Sequence, residues 1–198
     1  MRFLMLLMLL IPTTSFSQAT ATGGGAITIL DVVADRRMNR GQLDSCELVY
    51  SLAYEDYIYK NGGTTFLRGS FAFMGFTNAQ DTPPAVVLKV TAFDRINDEL
   101  KLSPLDYAYF STNNQSYAGS ETGVFATEDG GIMVGYNVLE HLELPNEIAN
   151  NITVNITRYG GSSDVKIPVQ INDVKGGAAR SYLKCSDDLI AEIIKKLN

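Results

Sequence analysis

The sequence predicts a mainly β fold: an antiparallel sandwich or partly open barrel of about eight or nine strands, with a C-terminal α-helical segment packed on it. Three observations carry this. Apolar and polar residues alternate with a period of two along much of residues 27–171, the pattern of strands with one face in a core. Asn-Gly and Asp-Gly pairs, which supply the positive φ of tight hairpin turns, fall between those runs. Past Gly176-Gly177 the apolar spacing becomes that of a helix.

The elements follow in order. Residues 1–19 read as a signal peptide: Met1-Arg2 brings one positive charge, and residues 3–11 are an apolar run too short to span a bilayer. Pro12 ends that run, and small residues mark cleavage after Ala19 or Ala21. Residues 20–25 form a flexible leader, and residues 26–198 one β-rich domain. The brevity of the signal is bacterial in style, so the mature chain is expected to be periplasmic or secreted. Residues 27–33 are the first strand. The run ending at Lys60 pairs with residues 66–76 about Asn61-Gly62-Gly63. Residues 86–93 are apolar on both faces except at Lys89 and Thr91, as a central strand would be. After a strand at 105–110, Asp129-Gly130-Gly131 joins 124–127 to 132–138.

The last hairpin alternates most cleanly. Ile152, Val154 and Ile156 precede Gly160-Gly161-Ser162-Ser163, and Val165, Ile167, Val169 and Ile171 follow it. Pro168 has no N–H to give to a neighbour, which places the second strand at a sheet edge. In residues 178–197, Ala179, Tyr182, Leu183, Leu189, Ile190, Ile193, Ile194 and Leu197 take helical spacing. Ser186-Asp187-Asp188 reads as a cap opening a second helix after a break, and Lys195 and Lys196 suit its C-terminal dipole.

Composition excludes several function classes. Lys and Arg number 16 against 22 Asp and Glu, a net charge of −6, without the basic stripe that nucleic acid or an anionic membrane surface demands. Arg36-Arg37 with Arg40 stands beside Asp31, Asp35 and Asp44, and reads as a solvated loop rather than an anion site. No stretch of the mature chain has the length of an apolar membrane span. Two cysteines in an exported chain, Cys46 and Cys185, predict one disulfide. They lack the neighbouring ligands of a zinc site, and neither a dinucleotide fingerprint nor a phosphate loop occurs, so no metal and no cofactor is assigned.

Catalytic machinery is equally sparse. The single histidine, His141, lies between Glu140 and Glu143 in a pattern unlike zinc hydrolases, and no G-x-S-x-G elbow appears. The carboxylates of Glu55-Asp56, Asp94 with Asp98-Glu99, and Glu128-Asp129 are the remaining acid–base candidates. Each fits a turn or a strand's solvent face, and residues 94–99 lack the spacing of a calcium loop. No residue is assigned as catalytic.

The tyrosines of residues 44–66 separate by parity. Tyr50 and Tyr54 share a face with Cys46, Leu48 and Leu52 and read as core. Tyr57 and Tyr59 share the opposite face, next to the Asn61-Gly62-Gly63 turn, and are the candidate partner contacts. The functional expectation is an exported, non-enzymatic bacterial envelope protein that binds a protein or glycan as an inhibitor, immunity or accessory factor. Its rivals are a secreted carboxylate-dependent hydrolase of glycans and a structural subunit of a surface assembly, which would offer an open strand edge.

Overall fold

The computed structural model describes residues 25–76, 83–171 and 177–197. The expected signal peptide, its cleavage points and most of the leader lie outside them. In chain order the strands are β1 (Ile27–Asn39), β2 (Gln42–Asp56), β3 (Gly63–Met74), β4 (Ala85–Ile96), β5 (Glu99–Ser103), β6 (Leu105–Thr112), β7 (Glu121–Ala126) and β8 (Ile132–Asn137). A short helix α1 (Leu144–Asn150) precedes β9 (Asn151–Arg158) and β10 (Val165–Gln170), and α2 (Ala178–Leu197) ends the chain. All pairings are antiparallel. The larger sheet runs β1-β2-β3-β4-β8-β7, with β5 sharing the β8 side of the long β4, and the smaller runs β10-β9-β6. Among the described residues neither sheet closes into a barrel.

The alternation read from sequence decides which side chains enter the core. On β2 the even positions from Cys46 to Asp56 are buried and the odd ones partly exposed. On β4 the even positions from Val86 to Asp94 are buried likewise. The smaller sheet answers with Phe110, Val154, Ile156, Ile167 and Val169, all buried. The aromatic centre crosses between layers: Phe110 of β6 meets Phe71 of β3 edge-on at 5.2 Å and Tyr136 of β8 at 4.9 Å. Such edge-to-face pairs add about 0.5–1.5 kcal/mol each beyond the area they bury. Tyr50 faces Gly69 in the β2–β3 register, and a β-carbon at Gly69 would lie 2.2 Å from the Tyr50 hydroxyl. A glycine there lets a whole tyrosine lie across the neighbouring strand.

Several local expectations change. The first strand does not stop at 33: it continues to Asn39 and turns at Arg40-Gly41, whose φ angles of 50° and 82° suit a two-residue hairpin. Arg36 and Arg37 therefore lie on a strand, not in a solvated loop. Residues 94–99 span the end of β4, a turn and the start of β5. Asn97 and Asp98, both at positive φ, form a tight turn, and the unforeseen strand β5 returns along β4. Asn and Asp tolerate that conformation without a glycine to announce it. The C-terminal segment is one uninterrupted helix, because no Gly or Pro interrupts it and Ser186 joins Tyr182, Cys185, Leu189 and Ile193 on the buried stripe. Pro168 does sit on an edge strand, β10.

Cys46 of β2 and Cys185 of α2 form a disulfide with Cα atoms 5.8 Å apart, closing a sequence separation of 139 residues. Restricting the unfolded chain over a loop of that length contributes roughly 4–5 kcal/mol. The bond fastens α2 against β1 and β2. None of the described helices is long and apolar enough to cross a membrane.

Candidate functional site

The far end of β2 carries a different fastening. Asp56 and Asp94, only 1% and 6% exposed, occupy inward positions of β2 and β4, where alternation would place apolar side chains. Both point at Arg158, the last residue of β9 and equally inward, at 5% exposure. Its Nε donates to Asp56 Oδ2 at 2.9 Å, while Nη1 and Nη2 reach Asp94 Oδ2 and Oδ1 at 3.2 and 3.0 Å. Nη2 also donates to Thr65 Oγ1 at 2.7 Å, and Nη1 to Ser103 Oγ. One guanidinium thus binds β2, β3, β4 and β5 to β9. Lys60 closes the charge count from the rim, its Nζ 2.7 Å from Asp94 Oδ2.

The surrounding cations set the charge state of Asp94. Burial alone would raise the Asp94 pKa, but hydrogen bonds from Lys60 and Thr65 and the Arg158 charge outweigh it and hold the carboxyl below its usual range. An acid–base pair working at neutral pH requires the opposite for its acid, a raised pKa in reach of substrate. Asp56 and Asp94 are instead salt-bridged to the same arginine inside the protein. The sequence reading, which left these residues on solvent faces or in turns, is corrected here.

Asp56 extends the network into the loop that follows. Its Oδ1 accepts from the backbone N–H of Ile58 at 3.1 Å and of Tyr59 at 2.8 Å, and its carbonyl accepts from Lys60 and Gly62. A buried carboxylate thereby shapes residues 57–62, and β2 ends before Tyr57. Tyr57 and Tyr59 consequently do not share a strand face. Tyr57 turns out, 51% exposed, with its hydroxyl donating to Glu55 at 3.2 Å and its ring over Gly62. The Glu55 charge raises the phenol pKa.

Tyr59 turns in. Its ring lies over the Arg158 guanidinium, 5.9 Å from charge to centroid, and its hydroxyl donates to the Ser163 carbonyl while accepting from the Ser163 N–H at 3.1 Å. It bridges the β2–β3 loop to the β9–β10 loop. At the start of that second loop Tyr159 stands 77% exposed, with its N–H on the Pro104 carbonyl at 3.1 Å. The site is therefore a clamped loop end: Tyr57 and Tyr159 outside, Tyr59 between the loops, Arg158 beneath.

Arg158 and Tyr159 went unnoticed in the sequence, although parity already put Arg158 with Ile152, Val154 and Ile156. His141 lies in the turn before α1, 3.4 Å from Glu143 and edge-on to Tyr117. Among the described residues no group of three or more His, Cys, Asp or Glu gathers as a metal site would. No family model matches the chain, and neither a curated protein nor a solved structure is found similar to it.

Proposed function

We propose that the chain is an exported, non-enzymatic protein of a bacterial envelope that binds a protein or glycan partner through this loop end. One observation carries the reading. Two exposed tyrosines sit on two loops that are clamped to each other by Tyr59 and rooted in a buried arginine network. Exposed tyrosine supplies contact area with a polar tip at low entropic cost, and loops fixed beforehand lose little freedom on binding. Tyr57 is the direct contact and Tyr59 its brace. Export is supported by the disulfide, which belongs to oxidising compartments. The glycan-hydrolase reading draws little from the buried, arginine-bound Asp56 and Asp94.

The test is capture from envelope extract with quantitative mass spectrometry, comparing the wild-type chain with Tyr57→Ala/Tyr159→Ala. Circular dichroism should show the double variant folded. A partner enriched by the wild type and lost by the variant supports the reading. A partner held equally by both, or none enriched over the variant, defeats it.

A further inference from the structure

The edges of the two sheets are not equally guarded. β10 carries Pro168, and β7 is six residues long with Gly123 within it. β1, at the other end of the larger sheet, runs for thirteen residues with neither proline nor lysine, two of the usual deterrents to edge pairing; its two irregularities and four charged residues leave a regular ladder between them. Among the described residues no strand pairs with its outer side.

Its backbone geometry is specific. The Ala26 carbonyl accepts from Glu55, so even positions face β2 at the start of the strand. A one-residue bulge at Leu30 reverses that parity, and a second irregularity follows Arg37. Between them lies a regular ladder, Asp31 to Arg37, in which the amides of Val32, Ala34 and Arg36 point away from β2. The Arg36 amide turns to a side chain, Asp35 Oδ1 at 2.8 Å, for want of a strand.

This segment is centred on Ala34, and its two ends carry opposite charges at equal distance from that centre, Asp31 and Arg37, while Asp35 and Arg36 have Val33 and Val32 as their counterparts. We infer that β1 pairs antiparallel with β1 of a second copy of this chain, about a two-fold axis at Ala34, joining two larger sheets into one. A two-fold perpendicular to the sheet keeps paired side chains on the same face, so the possible registers differ by whole residues at the axis. An axis at Val33 sets Asp31 against Asp35, and an axis at Asp35 sets that carboxylate against itself. An axis at Ala34 sets Asp31 against Arg37 twice and makes the outward amides of Val32, Ala34 and Arg36 into about six inter-chain hydrogen bonds. Leu30 and Met38, 56% and 54% exposed, flank the ladder at its two ends and approach each other's counterparts. Among the described residues Arg37 forms an ion pair with Glu47 of its own β2, at 3.5 Å.

Sedimentation velocity on the exported chain over a concentration series tests this, with charge reversal and charge swap. The wild type is expected to dimerise, and Arg37→Asp to weaken the dimer on the order of tenfold or more, by placing like charges opposite each other. Asp31→Arg/Arg37→Asp should restore it, although both residues are changed and the Glu47 contact is lost. Ala34→Pro, which removes an N–H that β2 does not use, should abolish it. A wild type that stays monomeric to its solubility limit overturns the inference, as does a dimer indifferent to Arg37→Asp and Ala34→Pro, or one the swap does not rescue. Tyr57→Ala/Tyr159→Ala should leave the dimer intact, so loop-end binding and edge pairing fail separately.

Discussion

Cys46 and Asp56 stand on one strand, ten residues and about 33 Å apart, and both tie β2 to something distant in sequence. At the Cys46 end the tie is a covalent bond to α2, backed by the apolar stripe of Tyr182, Leu189 and Ile193. At the Asp56 end it is a desolvated arginine shared by two carboxylates and two hydroxyls. The disulfide acts mainly on the unfolded chain and asks little of its surroundings. The arginine network acts on the folded state alone and fixes directions, since each donor of the guanidinium fork has one acceptor. A covalent staple suffices to hold a helix on a sheet; holding loops in a set shape takes oriented hydrogen bonds. The loops with exposed tyrosines are found at the end built the second way.

Arg158→Met should break this contrast most severely. It leaves Asp56 buried without a counter-ion and Asp94 with Lys60 at the rim as its remaining cation, and the cost is expected at about 3–5 kcal/mol in chemical denaturation. Combining it with Asp56→Asn and Asp94→Asn should recover part of that loss, because the uncompensated charge and not the absent arginine carries most of the penalty. Removing the other tie, with Cys46→Ala/Cys185→Ala, should cost about 2–5 kcal/mol, and a reductant should have the same effect on the wild type. The two losses are expected to add within about 0.5 kcal/mol, as befits sites with no shared partner. Strong coupling between them would show that the ends communicate.

Acid distinguishes the ends without mutation. Folding lowers the Asp94 pKa, so its contribution is complete above the unfolded carboxylate value of about 4 and drains away as pH falls through the lower folded value. Stability measured from pH 7 downward should hold until about pH 5 and then decline. Asp94→Asn, which forfeits charged hydrogen bonds worth about 1.5–3 kcal/mol at neutral pH, should shallow that decline. The disulfide variant should be lower throughout yet parallel to the wild type in its slope.

How much of this was legible in the sequence depends on the kind of signal. Alternation and turn glycines carried the sheet pattern and the β9–β10 hairpin, the missing N–H of Pro168 its edge position, and helical spacing the helix at 178–197. The same alternation held the site as well: Asp56 falls in phase with Tyr50 and Tyr54, Asp94 with Leu88 and Val90, Arg158 with Val154 and Ile156. Three charges at core positions on three strands announce a buried network, provided parity is believed over the habit of placing charges in solvent. Other features had no local mark. Asn97-Asp98 turns without glycine, so β5 stayed hidden, and Leu30 gives no sign of the bulge that shifts the phase of β1. The divergence of Tyr57 from Tyr59 depends on where β2 ends, which is set by the Asp56 carboxylate capping the next loop and so by Arg158, 102 residues away.

The mildest change separates bracing from contact. Tyr59→Phe keeps the ring over Arg158 and deletes only the hydroxyl that links the two loops, an interaction worth about 0.5–1.5 kcal/mol. The global unfolding midpoint should therefore move little. Hydrogen exchange should respond more than the midpoint does, since the Ser163 amide loses its acceptor outright and the β9–β10 loop is free to open without the rest of the fold. If the loop end binds as proposed, the same variant should weaken partner capture less than Tyr57→Ala does, and through slower or looser docking rather than lost contact area. Unchanged exchange at Ser163 would mean that the clamp is held by the Arg158–Tyr59 stacking alone, and the pre-shaping of the loops would then trace to the buried charge and not to the tyrosine hydroxyl.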